Sequence, residues 1–302
     1  GDALSLIVTG TAKAADLITL DGKTAEDITV TAVTAITGTY AELYKVYQTN
    51  ALNFKDLGTQ NVTITDKVTV DQINVIKELA TAKVTAAVSG SAADLAKLST
   101  VGTDAITLTV SGTTAAATDL NILNGKTSVP VNAVSVTTIT SDATNVADVL
   151  AAYVANTAGT ITGLGNETVT ITDAAATVAN VAAINTATSG LVDVAEVDVT
   201  AATFSLTDLG LLTGITGLTT IDAATSTNVS TLTLNLADLL AANDGASFNI
   251  AVKLGAEDTL NLLSTDNWVY VQSTFDNGTY TNGTHILTVT GTTDTDGVVI
   301  GA

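Results

Sequence analysis

Several residue types are missing or nearly missing from this 302-residue chain, which has no cysteine, methionine or arginine and only one proline and one histidine. Without cysteine it can form no disulfide, thiolate metal site or cysteine nucleophile. One histidine cannot supply the two or three imidazoles of the usual zinc sites. His285 lies in the strand-like run THILTV with no nucleophile elbow nearby, so we interpret it as structural and predict no catalytic site.

Aromatic residues are also scarce, at 4%, although hydrophobic residues make up 46% of the chain. The predicted core is therefore built from Val, Ile, Leu and Ala, which suit a narrow, repetitive interior. No stretch approaches the about 20 uninterrupted apolar residues of a membrane span, so we expect no membrane insertion. The first residue is not methionine, so we expect a processed or excised product of an exported protein.

Positive charge is scarce and unevenly placed. The chain has ten lysines and thirty acidic residues, for a formal net charge of −20. Residues 128–302 contain one lysine, Lys253, and seventeen acidic residues. Because such a surface repels phosphate backbones, we predict no nucleic-acid partner. Divalent cations would relieve the repulsion within the second half, and Ca²⁺, which takes carboxylate and carbonyl oxygens, is the candidate ion.

One pattern is abundant: an alternating strand followed by a short amphipathic helix. In ETVTITDAAATVANVAAINTATSG the alternation comes first, and Val178, Val181 and Ile184 then form one apolar stripe. Units of this kind recur along the chain at a period of roughly 20–30 residues, which is typical of solenoids. The sequence therefore predicts an α/β solenoid, a β-helix-like stack of strand plus short-helix repeats, over residues 1–244.

Helix starts support this pattern. A capping box places Ser, Thr or Asn three residues before an acid at the start of an apolar run. Five such pairs stand at the expected points: Thr39–Glu42, Ser91–Asp94, Asn145–Asp148, Ser205–Asp208 and Asn235–Asp238. Capping accounts for part of the acidity, because an acid in a first helical turn complements the helix dipole.

The pattern changes near residue 245. Residues 245–302 contain alternating runs separated by Asn-Gly turns, together with Trp268 and His285, so we predict a C-terminal all-β cap there. Within it, Asp294 and Asp296 in DTDGV alternate before a glycine, as calcium-ligating carboxylates do. They are the candidate metal ligands, and the alternative is a plain polar turn.

Two stretches carry a resemblance to a known group of proteins. These are ADVLAAY with AGTITGLGNETVTITDAA, and STLTLNLADLLAANDG followed by AEDTLNLLSTDNWV and NGTHILTV. The first resembles repeats, and the second the C-terminal segment, of giant secreted bacterial proteins of the cyanobacterial type. These are RTX or hemolysin-like adhesins and S-layer-like surface proteins. The resemblance implies a calcium-associated protein of the bacterial cell surface, although the nonapeptide G-G-x-G-x-D does not occur here.

These observations predict a non-enzymatic extracellular structural or adhesive protein. It would act by self-association into a filament or lattice, or by attachment to a cell-surface glycan, with calcium as a bridging ion. The alternative is a carbohydrate-active or carbohydrate-binding β-helix, which would gather its aromatics on one strand face. Tyr40, Tyr44 and Tyr47 gather instead on one helix, which favours a packing or subunit contact. A lesser alternative is an ice-binding threonine array, suggested by alternations such as Thr107/Thr109 and Thr168/Thr170/Thr172.

Overall fold

The computed structural model shows an α/β fold with eight α-helices among the residues it describes. None of these helices is both long and apolar enough to span a membrane. The described residues are 2–141, 146–172, 176–210, 212–224, 230–274, 277–291 and 298–301.

The helices are short, and the longest covers eleven residues. In chain order they are α1 (Ala14–Asp21), α2 (Tyr40–Tyr44), α3 (Val70–Leu79), α4 (Ala92–Leu95), α5 (Ala117–Asn124), α6 (Ala147–Thr157), α7 (Val178–Ala187) and α8 (Leu236–Ala241). A π-helix, Lys45–Thr49, directly follows α2. Single 3₁₀ turns cover Ala51–Asn53, Leu206–Leu209, Leu212–Gly214 and Ser264–Asp266.

The strands are short as well. In chain order they are β1 (Ile7–Lys13), β2 (Ile28–Gly38), β3 (Phe54–Lys55), β4 (Asn61–Ile64), β5 (Val84–Gly90), β6 (Ala105–Val110), β7 (Thr114–Ala116), β8 (Val131–Asn132), β9 (Thr138–Thr140), β10 (Ile161–Thr162), β11 (Thr168–Ile171), β12 (Val192–Val194), β13 (Glu196–Asp198), β14 (Thr203–Ser205), β15 (Ile215–Thr216), β16 (Thr220–Asp222), β17 (Thr231–Leu234), β18 (Asn249–Lys253), β19 (Thr259–Leu263), β20 (Val269–Thr274), β21 (Asn277–Asn282), β22 (His285–Thr290) and β23 (Val298–Gly301).

These strands form four separate sheets. The first has the order β1-β2-β4-β5-β6-β8-β10, with β3 also paired to β2. The second has the order β15-β12-β11-β9-β7, the third β13-β16-β18-β22-β21-β20 and the fourth β14-β17-β19-β23. Most neighbouring strands run parallel, whereas β21 pairs antiparallel with both β20 and β22.

The chain also divides into two compact units. The first unit comprises Gly1–Ala115, Asp119–Val136 and Ala155–Gly163, and it contains the first sheet. The second unit comprises Ala116–Thr118, Thr137–Val154 and Leu164–Ala302, and it contains the third and fourth sheets.

The predicted solenoid is wrong, because the strands belong to four sheets rather than to one continuous stack. The predicted C-terminal all-β cap on a solenoid is also wrong. Strand β18 pairs with β16 and β19 with β17, so both extend sheets that begin before residue 245. Alternation of polar and apolar residues predicts which face of a strand is buried, but it does not predict which strand pairs with it. The boundary between residues 1–244 and 245–302 stays a prediction.

Packing follows the aliphatic composition. Alternate strand positions are fully buried, as at Ile106 and Leu108 in β6, while Thr107 between them is exposed. Leu17, Ile73 and Ile76 are fully buried from the helices. Burying such a side chain stabilises the fold by about 1.5–3 kcal/mol, so many medium-sized contacts replace a few aromatic ones.

The predicted helix caps are largely confirmed. The Thr39 hydroxyl accepts from the Glu42 N–H, and the Glu42 carboxylate accepts from the Thr39 N–H. Ser91 and Asn235 cap α4 and α8 in the predicted way. At Ser205 the backbone N–H donates to Asp208, but the segment forms only a 3₁₀ turn. Asn145 lies outside the described residues.

Threonine side chains hold successive strand starts together. Three hydroxyls donate, each over 2.7 Å, to a carbonyl oxygen about one repeat earlier in the chain, and each also accepts from the N–H two residues ahead. The three bonds join Thr24 to Leu4, Thr127 to Ile106 and Thr188 to Glu167. These three threonines therefore have a structural role, since their side-chain hydrogen bonds satisfy backbone groups near the start of a strand.

Candidate functional site

A cluster of charged side chains lies on the third sheet, in the second unit. In β13, β16 and β18, alternation buries Val197, Ile221 and Val252 completely on one face. The opposite face therefore presents the neighbours of these residues, which include Glu196 and Asp198 in β13.

Strand register brings the charges together. Asp198 pairs with Asp222, and Asp222 pairs with Lys253, along three adjacent parallel strands. Paired residues in adjacent strands lie about 4.8 Å apart, so three charges meet in one row. Glu196 lies two residues before Asp198 and projects from the same face. Ligand atoms of Glu196, Asp198 and Asp222 all lie within 4.8 Å of one another.

Lys253 neutralises part of this cluster. Its Nζ donates to Glu196 Oε1 over 2.6 Å and to Asp222 Oδ2 over 2.9 Å. The other oxygen of Asp222 accepts from the N–H of Ala224 over 2.9 Å. Three carboxylates and one ammonium leave two negative charges on this face of the sheet.

The cluster also changes the titration of the lysine. Hydrogen bonds first to Glu196 and then to Asp222 raise the pKa of Lys253 above its ordinary value of 10.5, and burial opposes this only in part. The lysine side chain is 41% exposed, so water screens the pair. The ammonium therefore stays charged throughout the neutral range while remaining open to exchange with solvent cations.

Chemically, the cluster offers hard oxygen donors. Three carboxylates can supply three to six oxygens, and Ca²⁺ takes six to eight at about 2.3–2.6 Å, with water or a second molecule providing the rest. A metal ion on Glu196 and Asp222 would have to displace the Lys253 ammonium from their oxygens. The cluster fits a weak, exchangeable divalent site better than a closed structural one.

The predicted metal ligands are elsewhere. Asp294 and Asp296 lie outside the described residues, so their assignment stays a prediction. The residues of the cluster were missed by the sequence analysis. A usable signal was present: Glu196-x-Asp198 places two acids on one strand face, and Lys253 is the one lysine in residues 128–302. The pairing of Asp198 with Asp222 depends on register, which that signal does not contain.

His285, the single histidine, belongs to an aromatic cluster. Its ring stacks on Phe248 with centroids 4.8 Å apart, and the Trp268 ring lies 6.4 Å from Phe248. Its Nδ1 is buried and has no hydrogen-bond partner among the described residues. These contacts give the imidazole a packing role in the C-terminal strands.

Threonine rows occur on several sheets but remain short. Thr203, Thr231 and Thr259 lie side by side in the fourth sheet. The predicted pair Thr107/Thr109 instead lies opposite Ala87 and Ser89, which interrupts the row in the first sheet. The ice-binding alternative stays a prediction.

Comparison with known proteins found no similar protein. No family model matches the sequence, no curated protein matches it, and no solved structure matches the fold.

Proposed function

We propose that this chain is a non-enzymatic structural or adhesive protein of the bacterial cell surface that acts by self-association. The observation that carries the proposal is the charged face of the third sheet, on which Glu196 and Asp198 are half-buried and Asp222 is buried. There, Glu196, Asp198 and Asp222 are held in register around a single lysine and retain a net negative charge. A regular strand face of this kind suits lateral contact between copies.

Calcium is the proposed bridge between copies. Two acidic faces repel each other in water, and at physiological ionic strength the repulsion acts over about 8 Å. A divalent ion shared by carboxylates of two molecules removes that repulsion and takes oxygens from both. Self-association through this face is therefore expected to depend on calcium and to weaken in a chelator.

The experiment is electron microscopy of negatively stained protein, with light scattering after size exclusion, in millimolar calcium and in excess chelator. Filaments or sheets that dissolve on chelation support the proposal. The double variant Glu196→Gln/Asp198→Asn is expected to lose assembly in calcium. A matched variant, Glu26→Gln/Asp16→Asn, removes the same charge from exposed positions in the first unit and is expected to assemble normally.

Two outcomes would contradict the proposal. One is a single monodisperse particle in both solutions over the whole concentration range. The other is assembly that both double variants weaken equally, because net charge rather than the third sheet would then control it.

A further inference from the structure

The outer edge of β1 is open. This strand ends the first sheet, and among the described residues it pairs on one side only, with β2. Of its seven residues only Ala12 is buried, whereas the inner strands β5 and β6 each bury three. An edge strand presents unpaired N–H and C=O groups on its free side, and a further strand can bind to them.

The usual protection of a sheet edge is missing from this strand. Native edges carry charges or proline that keep other chains away. Residues 3–12, ALSLIVTGTA, contain neither, although the chain as a whole has a net charge of −20. Within this segment Leu4 is 49% exposed and Ile7 is 70% exposed. The segment is therefore an uncharged edge with exposed aliphatic side chains, which a second strand can approach without electrostatic repulsion.

Charge complementarity identifies the occupant. Two exposed residues of opposite sign, Asp2 and Lys13, flank the uncharged segment at its two ends. An antiparallel neighbour of the same sequence therefore brings Asp2 of each copy opposite Lys13 of the other. We propose that β1 pairs antiparallel with β1 of a second copy about a two-fold axis, which is the commonest symmetry of soluble oligomers.

The same alignment brings apolar side chains together. When Asp2 lies opposite Lys13, Ile7 of each copy lies opposite Val8 of the other, at the centre of the pair. Pairs of β-branched side chains across adjacent strands stabilise a sheet. Gly10, whose backbone is left-handed with φ of 78°, lies outside this central pair.

A cleft beside β1 fits the next residue of the alignment. Its volume is about 430 Å³, and its lining from β1 and α1 includes Thr11, Val8 and Leu20. The alignment places Leu4 of the second copy opposite Thr11, and facing residues of an antiparallel pair project from the same side of a sheet. Leu4 of each copy therefore lies beside the cleft of the other and can bury its exposed side chain there.

The edge contact supplies what the calcium contact lacks. A calcium bridge between the same face of two copies is isologous, so by itself it closes into a pair. A second contact elsewhere on the molecule is needed to link such pairs into a filament or sheet. The edge contact rests on the proposed self-association and provides that second interface, which needs no calcium.

The test is the mass of the full chain in excess chelator, measured by sedimentation equilibrium over a wide range of concentration. The parent is expected to form dimers that dissociate on dilution. Ile7→Lys places a lysine from each copy near the centre of the pair, so it should raise the dissociation constant at least about tenfold. Leu52→Lys is the matched control, because Leu52 lies in a 3₁₀ turn of the first unit and is 92% exposed. It should dimerise as the parent does, and thermal unfolding checks that both variants are folded.

A charge exchange tests the alignment. Lys13→Asp alone brings acids opposite each other at both ends of the pair, and Asp2→Lys alone does the same with lysines. Each is expected to weaken the dimer by about two- to tenfold. The double variant Asp2→Lys/Lys13→Asp restores opposite charges and is expected to recover the dissociation constant of the parent. A double variant as weak as the single ones overturns the antiparallel alignment.

The edge contact and the calcium contact fail in different ways. A parent that is monomeric in chelator at every concentration overturns the edge contact, even if it assembles in calcium. Ile7→Lys that dimerises as tightly as the parent overturns it too. A parent that stays dimeric in both solutions contradicts calcium-dependent assembly and supports the edge contact.

Discussion

Two lysine–carboxylate sites, one in each unit, use the same ion pair for different purposes. In the first unit, the Asp104 side chain is fully buried and accepts from Lys77 over 3.0 Å. It also accepts from the N–H groups of Val84 and Val101, over 2.8 and 2.9 Å. In the second unit, Lys253 pairs with two of three neighbouring carboxylates, those of Glu196 and Asp222, and its side chain is 41% exposed.

The difference lies in how completely each charge is satisfied. Both oxygens of Asp104 have donors, and one of these donors is the N–H of Val84, at which β5 begins. The carboxylate is also fully buried, so this site fixes the start of β5 and is closed to a ligand. The cluster around Lys253 has more acid than base, so it can exchange its lysine for a cation. The first site is structural, and the second is where we place the proposed calcium-dependent contact.

The largest expected effect concerns the buried site. Asp104→Ala leaves two backbone N–H groups without an acceptor, and it leaves the nearly buried Lys77 ammonium with no carboxylate and only the Ala82 carbonyl oxygen. It should therefore lower the free energy of unfolding by about 3–5 kcal/mol. Urea unfolding of the full chain, followed by circular dichroism, measures this loss.

Asp258→Ala is the control for that experiment. Asp258 is also buried and accepts from the N–H groups of Ser230 and Gly255, each over 2.7 Å, with no lysine partner among the described residues. Its loss should be smaller, about 1–3 kcal/mol. If Asp104→Ala and Asp258→Ala lowered the free energy of unfolding equally, the ion pair with Lys77 would add nothing to the stability of the first site.

Sequence patterns predicted local structure, such as helix caps, better than contacts between residues far apart in the chain. Thr39, Ser91 and Asn235 were identified as caps because a cap depends on residues three apart. The cap at Thr69 was missed because only acids were sought at the third position, whereas Gln72 fills it. A helix cap can therefore be predicted from a single sequence.

Long-range pairing was not predictable in the same way. Lys77 meets Asp104 across 27 residues, and Lys253 meets Glu196 across 57. Both contacts depend on which strands lie side by side, and similar repeats fit several arrangements. The same limit explains the wrong solenoid prediction, since strand alternation specifies a buried face and not a neighbour.

A second variant sharpens the comparison by removing Lys253, the partly exposed lysine of the cluster on the third sheet. Lys253→Gln leaves three close carboxylates without their cation, so in chelator we expect a loss of about 1 kcal/mol, modest because water screens the cluster. Millimolar calcium should restore the melting temperature by occupying the place of the ammonium. Differential scanning calorimetry in both solutions measures the recovery.

Lys97→Gln is the matched control, because Lys97 pairs over 2.7 Å with one exposed carboxylate, Asp94. Its melting temperature should be unchanged in chelator and should gain no specific benefit from calcium. If calcium raises both variants equally, the cluster has no special affinity for the ion.

The smallest expected effect is a change with pH. Because Glu196 and Asp222 raise the pKa of Lys253, the folded chain holds this proton more tightly than the unfolded chain. The stabilisation is therefore complete below the ordinary pKa of 10.5 and is lost as pH rises through the higher folded value. In chelator, the stability difference between the parent and Lys253→Gln should be constant from neutral pH and shrink above that ordinary value. Tyrosine ionisation affects both proteins and cancels in the difference. A stability difference that grows as the pH rises would mean that these carboxylates do not hold the Lys253 proton, and the contrast between the Lys253 cluster and the buried Lys77–Asp104 site would then fail.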